Sequence, residues 1–155
     1  MNFLTELLKN HVLITAALGW FIAQVLKVLL ALIQNKRIDW SRFIGSGGMP
    51  SSHTSFVISL TTAIGYVEGV STPLFAVCAV LAFVVMYDAS GVRRATGIQA
   101  KVLNKLVDSY EEQEDVEISD EKLKELIGHS PLEVFAGAIV GLLTAIVAFE
   151  CIFPL

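Results

Sequence analysis

Apolar residues in this chain fall into four blocks, at about residues 11–33, 51–70, 72–89 and 131–153. Each is close to the ~20 residues a helix needs to cross ~30 Å of hydrocarbon. None alternates with period two, so a transmembrane β-barrel does not fit. Between the second and third blocks lie only Ser71, Thr72 and Pro73, which predicts a tight helical hairpin. Pro73 suits the first turn of a helix, where its missing N–H costs nothing. The first block is too long for a signal peptide, contains Lys27 and lacks a following cleavage site, so it is expected to stay in the mature protein.

Two segments are polar. Residues 34–48 carry Lys36, Arg37, Asp39 and Arg42, and residues 91–130 form the one long loop, between the third and fourth spans. The loop opens on Arg93 and Arg94, and its later part, 108–125, holds nine acidic residues against two lysines. It reads as a solvated loop with a short helix near 121–127. Four spans place both termini and the 71–73 turn on one side and both polar segments on the other. The first side carries Lys9, whereas the second carries Lys36, Arg37, Arg42, Arg93, Arg94, Lys101, Lys105, Lys122 and Lys124. The positive-inside rule then puts both polar segments in the cytoplasm, with a bacterial plasma membrane as the expected location.

Composition agrees with this picture. The chain has 155 residues, 54% hydrophobic and 17% charged, with mean hydropathy +0.66. One domain of that size, spanning 1–155, cannot hide so much apolar surface in its own core. The expected fold is an all-α bundle of about four transmembrane helices. A net charge of −4 offers no basic excess for nucleic acid. Cys78 and Cys151 have neither disulfide nor metal-site spacing.

Candidate chemistry lies where polar residues meet the ends of the spans. The second span opens Gly47-Gly48-Met49-Pro50-Ser51-Ser52-His53. Glycines allow close backbone approach, and free N–H groups at Ser51 and Ser52 make an anion site at a helix start. The fourth opens Gly128-His129-Ser130-Pro131-Leu132-Glu133. Ser130 and Glu133 form a capping box. Glu133 also lies on the same helical face as His129, where it can fix the imidazole tautomer. Arg93 and Arg94 close the third span, and Lys27 sits inside the first. Each feature has an ordinary counterpart: a capped helix, a topology anchor, a lysine snorkelling toward Gln34. Together they make a kit for phosphate-ester hydrolysis through a phosphohistidine. Glu133, Gly137, Gly141 and Ala145 recur every four residues, and Gly65 and Gly69 repeat the spacing on the second span. These small residues are expected to pack spans two and four together and bring His53 to His129.

On these residues the chain resembles the type 2 phosphatidic acid phosphatase superfamily, which also contains the vanadium haloperoxidases, and most closely its short, divergent branch. Pro50-Ser51-Ser52-His53 stands for a Pro-Ser-Gly-His motif. Arg93 or Arg94, then His129 and Glu133, stand for a Ser-Arg…His-x-x-x-Asp motif. Lys27 stands for the lysine of the first motif, whose Arg-Pro is missing. The resemblance covers about residues 27–141. It implies that His129 attacks phosphorus, Glu133 orients it, and His53 serves as acid and then base. Lys27, Arg93, Arg94, Ser52 and the Gly48 backbone would bind phosphoryl oxygens. No metal or other cofactor is implied, and vanadate or tungstate would act as phosphate mimics. The expected partners are membrane lipid and a phosphorylated lipid substrate, with no nucleic acid and a possible homo-oligomer. Two alternatives stay open: an inactive phosphate- or lipid-binding membrane protein, and a small proton-coupled transporter using Glu133, Asp88 and the histidines. A metal site of His53, His129, Asp88 and Glu133 is a more distant reading.

Overall fold

The computed structural model describes residues 2–36, 48–114, 122–125 and 127–154. Among them there is helix and no strand. A short α1 (Phe3–Leu7) precedes α2 (His11–Asn35), α3 (Ser52–Val67), α4 (Pro73–Ser90), α5 (Val92–Glu114) and α6 (Pro131–Val147), which ends in a π-helical turn, Ala148–Ile152. Capping sets several starts. Asn10 accepts from Leu13 N–H at 3.0 Å. Thr72 caps α4, with Pro73 in its first turn. Ser130 and Glu133 complete the capping box of α6.

The four apolar blocks are helices within three residues of the bounds expected. Three stretches, His11–Ile33, Pro73–Glu112 and Pro131–Ile152, are long and apolar enough to cross a membrane. The protein is an all-helical integral membrane protein. The expected second span differs in kind. At 16 residues, α3 is ~24 Å long, short of the hydrocarbon thickness. It packs against α2, α4 and α6, and Ser52, Thr54, Ser55, Ser59 and Thr61 are among its buried residues. A helix screened by its neighbours can be shorter and more polar than one facing lipid.

The glycine seam exists, with a different partner surface. A Cβ on Gly137 would strike the Ser51 carbonyl, and one on Gly141 would lie 2.5 Å from the Ser55 carbonyl. On the other side of α3, Gly19 of α2 leaves room for Ser59. Ser55 Oγ donates to Gly19 O at 2.7 Å and Ser59 Oγ to Gly141 O at 3.0 Å. The serines of α3 thus fill the space the glycines leave and satisfy their own hydroxyls there. Gly65 instead faces Val70 and Phe75 in the α3–α4 hairpin, and Gly69 lies in its turn.

The 91–130 segment is also corrected. Most of it is α5, a 23-residue helix. The expected short helix at 121–127 is absent, since residues 122–125 and 127 are non-helical. The reason is Asn104, whose amide pairs with the Leu123 backbone, receiving its N–H at 3.0 Å and donating to its carbonyl at 2.9 Å. An extended segment lets one side chain satisfy both groups, and Gly97 leaves room for the Glu125 and Ile127 carbonyls. The expected basic turn at Arg37 and Arg42 lies outside the described residues, as does Gly47.

The two ends of the bundle are now distinguishable. His11 stacks on Phe153 with centroids 4.3 Å apart, and Tyr66 on Phe149 at 5.2 Å. Both lie at the end that carries the termini and the 71–73 turn, as the span arithmetic requires. The opposite end carries His53 and His129.

Candidate functional site

Two backbone hydrogen bonds build this end. His129 N–H donates to Ala89 O at 2.8 Å, tying the approach to α6 onto the end of α4. Ser51 N–H donates to Glu133 O at 2.9 Å, tying the start of α3 to the first turn of α6. Gly128, with φ +87°, lies against the Arg93–Arg94 backbone, where a Cβ would collide. Only glycine gives both that turn and that closeness. The result brings the two imidazoles to 6.2 Å between centroids, edge to face.

The histidines differ in environment. His129 is buried, 3% exposed, and its Nδ1 lies 3.2 Å from Glu133 Oε2. The same oxygen accepts the Ser130 N–H at 2.9 Å. One carboxylate therefore caps α6 and holds the imidazole. With Nδ1–H directed at Glu133, the lone pair resides on Nε2. Nε2 is buried and makes no close hydrogen bond among the described residues, with the Gly48 backbone within range to act on the ring. Burial pushes the His129 pKa below its ordinary value of 6.5, against the upward pull of Glu133; Lys27 adds to the lowering and the Gly48 backbone opposes it. A lowered pKa favours the neutral imidazole near pH 7. His53 is exposed, on the first turn of α3.

The cations separate into two groups. Lys27 is 2% exposed, so its ammonium does not snorkel to the surface. Its charge acts on both His53 and His129. Arg93 also acts on His53, and its Nε donates to Asp88 Oδ2. Arg94 is exposed, and its backbone, at Gly128, is what meets the site. Ser52 is buried in the first turn of α3, beside the capping pair Ser51 and Thr54, whose hydroxyls are 3.1 Å apart. His53, His129, Glu133, Lys27, Arg93 and the Gly48 backbone thus converge, while the Arg94 side chain is not brought to the histidines by any contact found. Among the described residues, no three His, Cys, Asp or Glu side chains gather as a metal site.

Sequence reading missed Asp88 as the residue holding Arg93. Five positions separate them, across the α4–α5 break at Gly91, so helical spacing gave no signal. It also missed the Ala89 carbonyl, a backbone group that no side-chain pattern reveals.

Comparison with known proteins gives the family. Residues 8–144 match the family described as the divergent PAP2 family. The chain is 42% identical over 151 residues to the uncharacterized membrane protein YuiD of Bacillus subtilis (strain 168), covering 92% of this chain and 96% of that protein. No solved structure matches it. With paired histidines at the Pro-Ser-Ser-His and His-x-x-x-Glu positions and a family match over most of its length, the chain belongs to the divergent PAP2 family.

Proposed function

We propose that this protein is a membrane phosphatase that hydrolyses a lipid-linked phosphate monoester or pyrophosphate through a phosphohistidine, without a metal. The observation that carries the reading is the state of His129. Its Nδ1 is held by Glu133 while Nε2 is buried on the other side of the ring, at the end that holds His53, Lys27 and the Gly48 backbone.

In the first step the Nε2 lone pair attacks phosphorus and the ester P–O bond breaks. The leaving oxygen takes a proton from the His53 imidazolium. Glu133 balances the positive charge that grows on His129. In the second step neutral His53 takes a proton from water, whose oxygen attacks phosphorus, and the P–N bond breaks. Inorganic phosphate leaves with both histidines restored. Lys27 and Arg93 offset the charge on the phosphoryl oxygens throughout, helped by Ser52 and the α3 N-terminus.

The test is release of phosphate by the purified protein from phosphatidic acid, phosphatidylglycerophosphate or a polyprenyl pyrophosphate, with competitive inhibition by vanadate. Turnover of none of them, with vanadate still bound, favours the inactive phosphate-binding alternative. The lysine and arginine distribution supports a cytoplasmic site. In a Cys78→Ser, Cys151→Ser background, a cysteine at Glu112 is then expected to resist impermeant thiol reagents in intact cells. Labelling there reverses the orientation and leaves the chemistry untouched.

A further inference from the structure

Among the described residues, the helix that replaced the expected loop has one exposed face. One residue, Gly91, separates α5 from the membrane span α4. A straight helix over the 40 residues Pro73–Glu112 would measure ~60 Å, about twice the hydrocarbon core. The backbone leaves helical geometry at Gly91, with φ −104° and ψ −86°. One side of α5 is occupied: Gly97 and Asn104 meet Leu123, Glu125 and Ile127.

The other side is mainly apolar. Ile98, Val102, Leu103, Leu106 and Tyr110 are 49–62% exposed. At ~100° per residue they fall within about 140° of arc, with Gln99 and Ser109 between them. Exposed Arg94, Lys101, Lys105 and Glu112 line one margin of that stripe, which is positive on balance. An apolar face with a cationic border, leaving directly from a membrane span, has the chemistry of a helix lying in a bilayer surface. Such a border meets anionic headgroups when the apolar face lies at the acyl-chain boundary.

We propose that α5 is an interfacial helix: its Ile98–Tyr110 stripe sinks into the acyl-chain boundary, and Arg94, Lys101 and Lys105 engage anionic lipid headgroups. Because Gly128 is seated on the Arg93–Arg94 backbone, this helix also fixes the depth of the chain leading to His129. The proposal is independent of whether the protein is a phosphatase.

The test uses the full chain in nanodiscs with phosphatidylglycerol. Spin labels are placed singly on cysteines at Val102, Leu106, Lys101 and Lys105 in the Cys78→Ser, Cys151→Ser background. Collision rates with oxygen and with a water-soluble nickel chelate are compared, on samples that elute as a single species. Val102 and Leu106 are expected to favour oxygen, and Lys101 and Lys105 the chelate. In a Lys101→Glu, Lys105→Glu variant, the oxygen preference at Leu106 is expected to shrink. Chelate access at Val102 and Leu106 equal to that at the lysines would mean that α5 projects into water, and overturns the proposal. Exclusion of both probes with spin–spin broadening between labels would put a second copy on the stripe, and overturns it equally. An unchanged preference in the charge-reversed variant would overturn the headgroup contact.

Discussion

Each end of the bundle holds a histidine, a glutamate and a helix terminus, yet the two are built to opposite ends. At the terminal end the aromatic side chains stack on one another. His11 lies flat on Phe153, Tyr66 on Phe149, and the Tyr66 hydroxyl donates to Glu150 at 3.1 Å. At the other end Glu133 holds one nitrogen of His129 and the second is buried, with Lys27 and the Gly48 backbone acting on the ring and His53 edge-on to it. Residue type alone does not separate these ends. The difference is what faces each imidazole: an aromatic ring at one end, a carboxylate and a lysine's charge at the other.

The largest contrast is expected between the histidines. His129→Ala abolishes turnover and His53→Ala lowers it by about 10²–10⁴-fold, while His11→Ala leaves steady-state phosphate release near wild type. Loss of activity in the His11 variant equal to that in the His53 variant would erase the distinction between the ends.

The next effect is at the seam. Gly141→Leu forces a side chain against Ser55 and Ile58, where overpacking costs typically ~1–3 kcal/mol. It is expected to cut activity in the monomer by moving α3, and His53 with it, away from α6. A Gly65→Ala change meets the Phe75 ring at 3.3 Å, away from the site, and is expected to leave turnover intact. Size-exclusion chromatography with an activity assay separates the outcomes; a changed oligomer with unchanged turnover would place the Gly141 seam between subunits.

Glu133→Gln sharpens the electrostatic side. Because burial lowers the His129 pKa, activity is expected to rise with pH along a limb centred below 6.5. Glu133 opposes that lowering, so its neutral replacement moves the limb to still lower pH while reducing kcat. The same lowered pKa means that His129 contributes stability that is full above 6.5 and is lost as pH falls below it. A limb shifted upward in the Gln variant would contradict the pairing.

Ser59→Ala gives the smallest effect. It removes one hydroxyl bond to Gly141, and interhelical bonds of this kind average ~0.6 kcal/mol. Denaturant unfolding should detect a loss of that order, with kcat unchanged.

Much of this fold was legible from spacing. Pro73, Ser130, Pro131 and Glu133 are local signals, and their helices begin where those residues require. The His129–Glu133 pair was legible because four residues make about one turn. What failed was tertiary. Gly137 and Gly141 announce a close approach without naming the neighbour, and the neighbour is a row of serines rather than Gly65 and Gly69. Lys27 offered a surface and a buried reading, and only the packing of α2 against α3 and α6 decides between them. The helix α5 was hidden because its apolar stripe is interleaved with Lys101, Lys105 and Asp108, and charge density outweighed periodicity.

The central claim is that His129 Nε2 forms a bond to phosphorus. The direct measurement is a rapid denaturing quench during turnover, followed by mass spectrometry of peptides under alkaline conditions that preserve phosphohistidine. The account predicts a phosphoryl adduct on the peptide containing His129, increased in His53→Ala if hydrolysis of the intermediate slows more than its formation, and absent from His129→Ala. A phosphoryl adduct on another residue, or sustained turnover by His129→Ala, would contradict it.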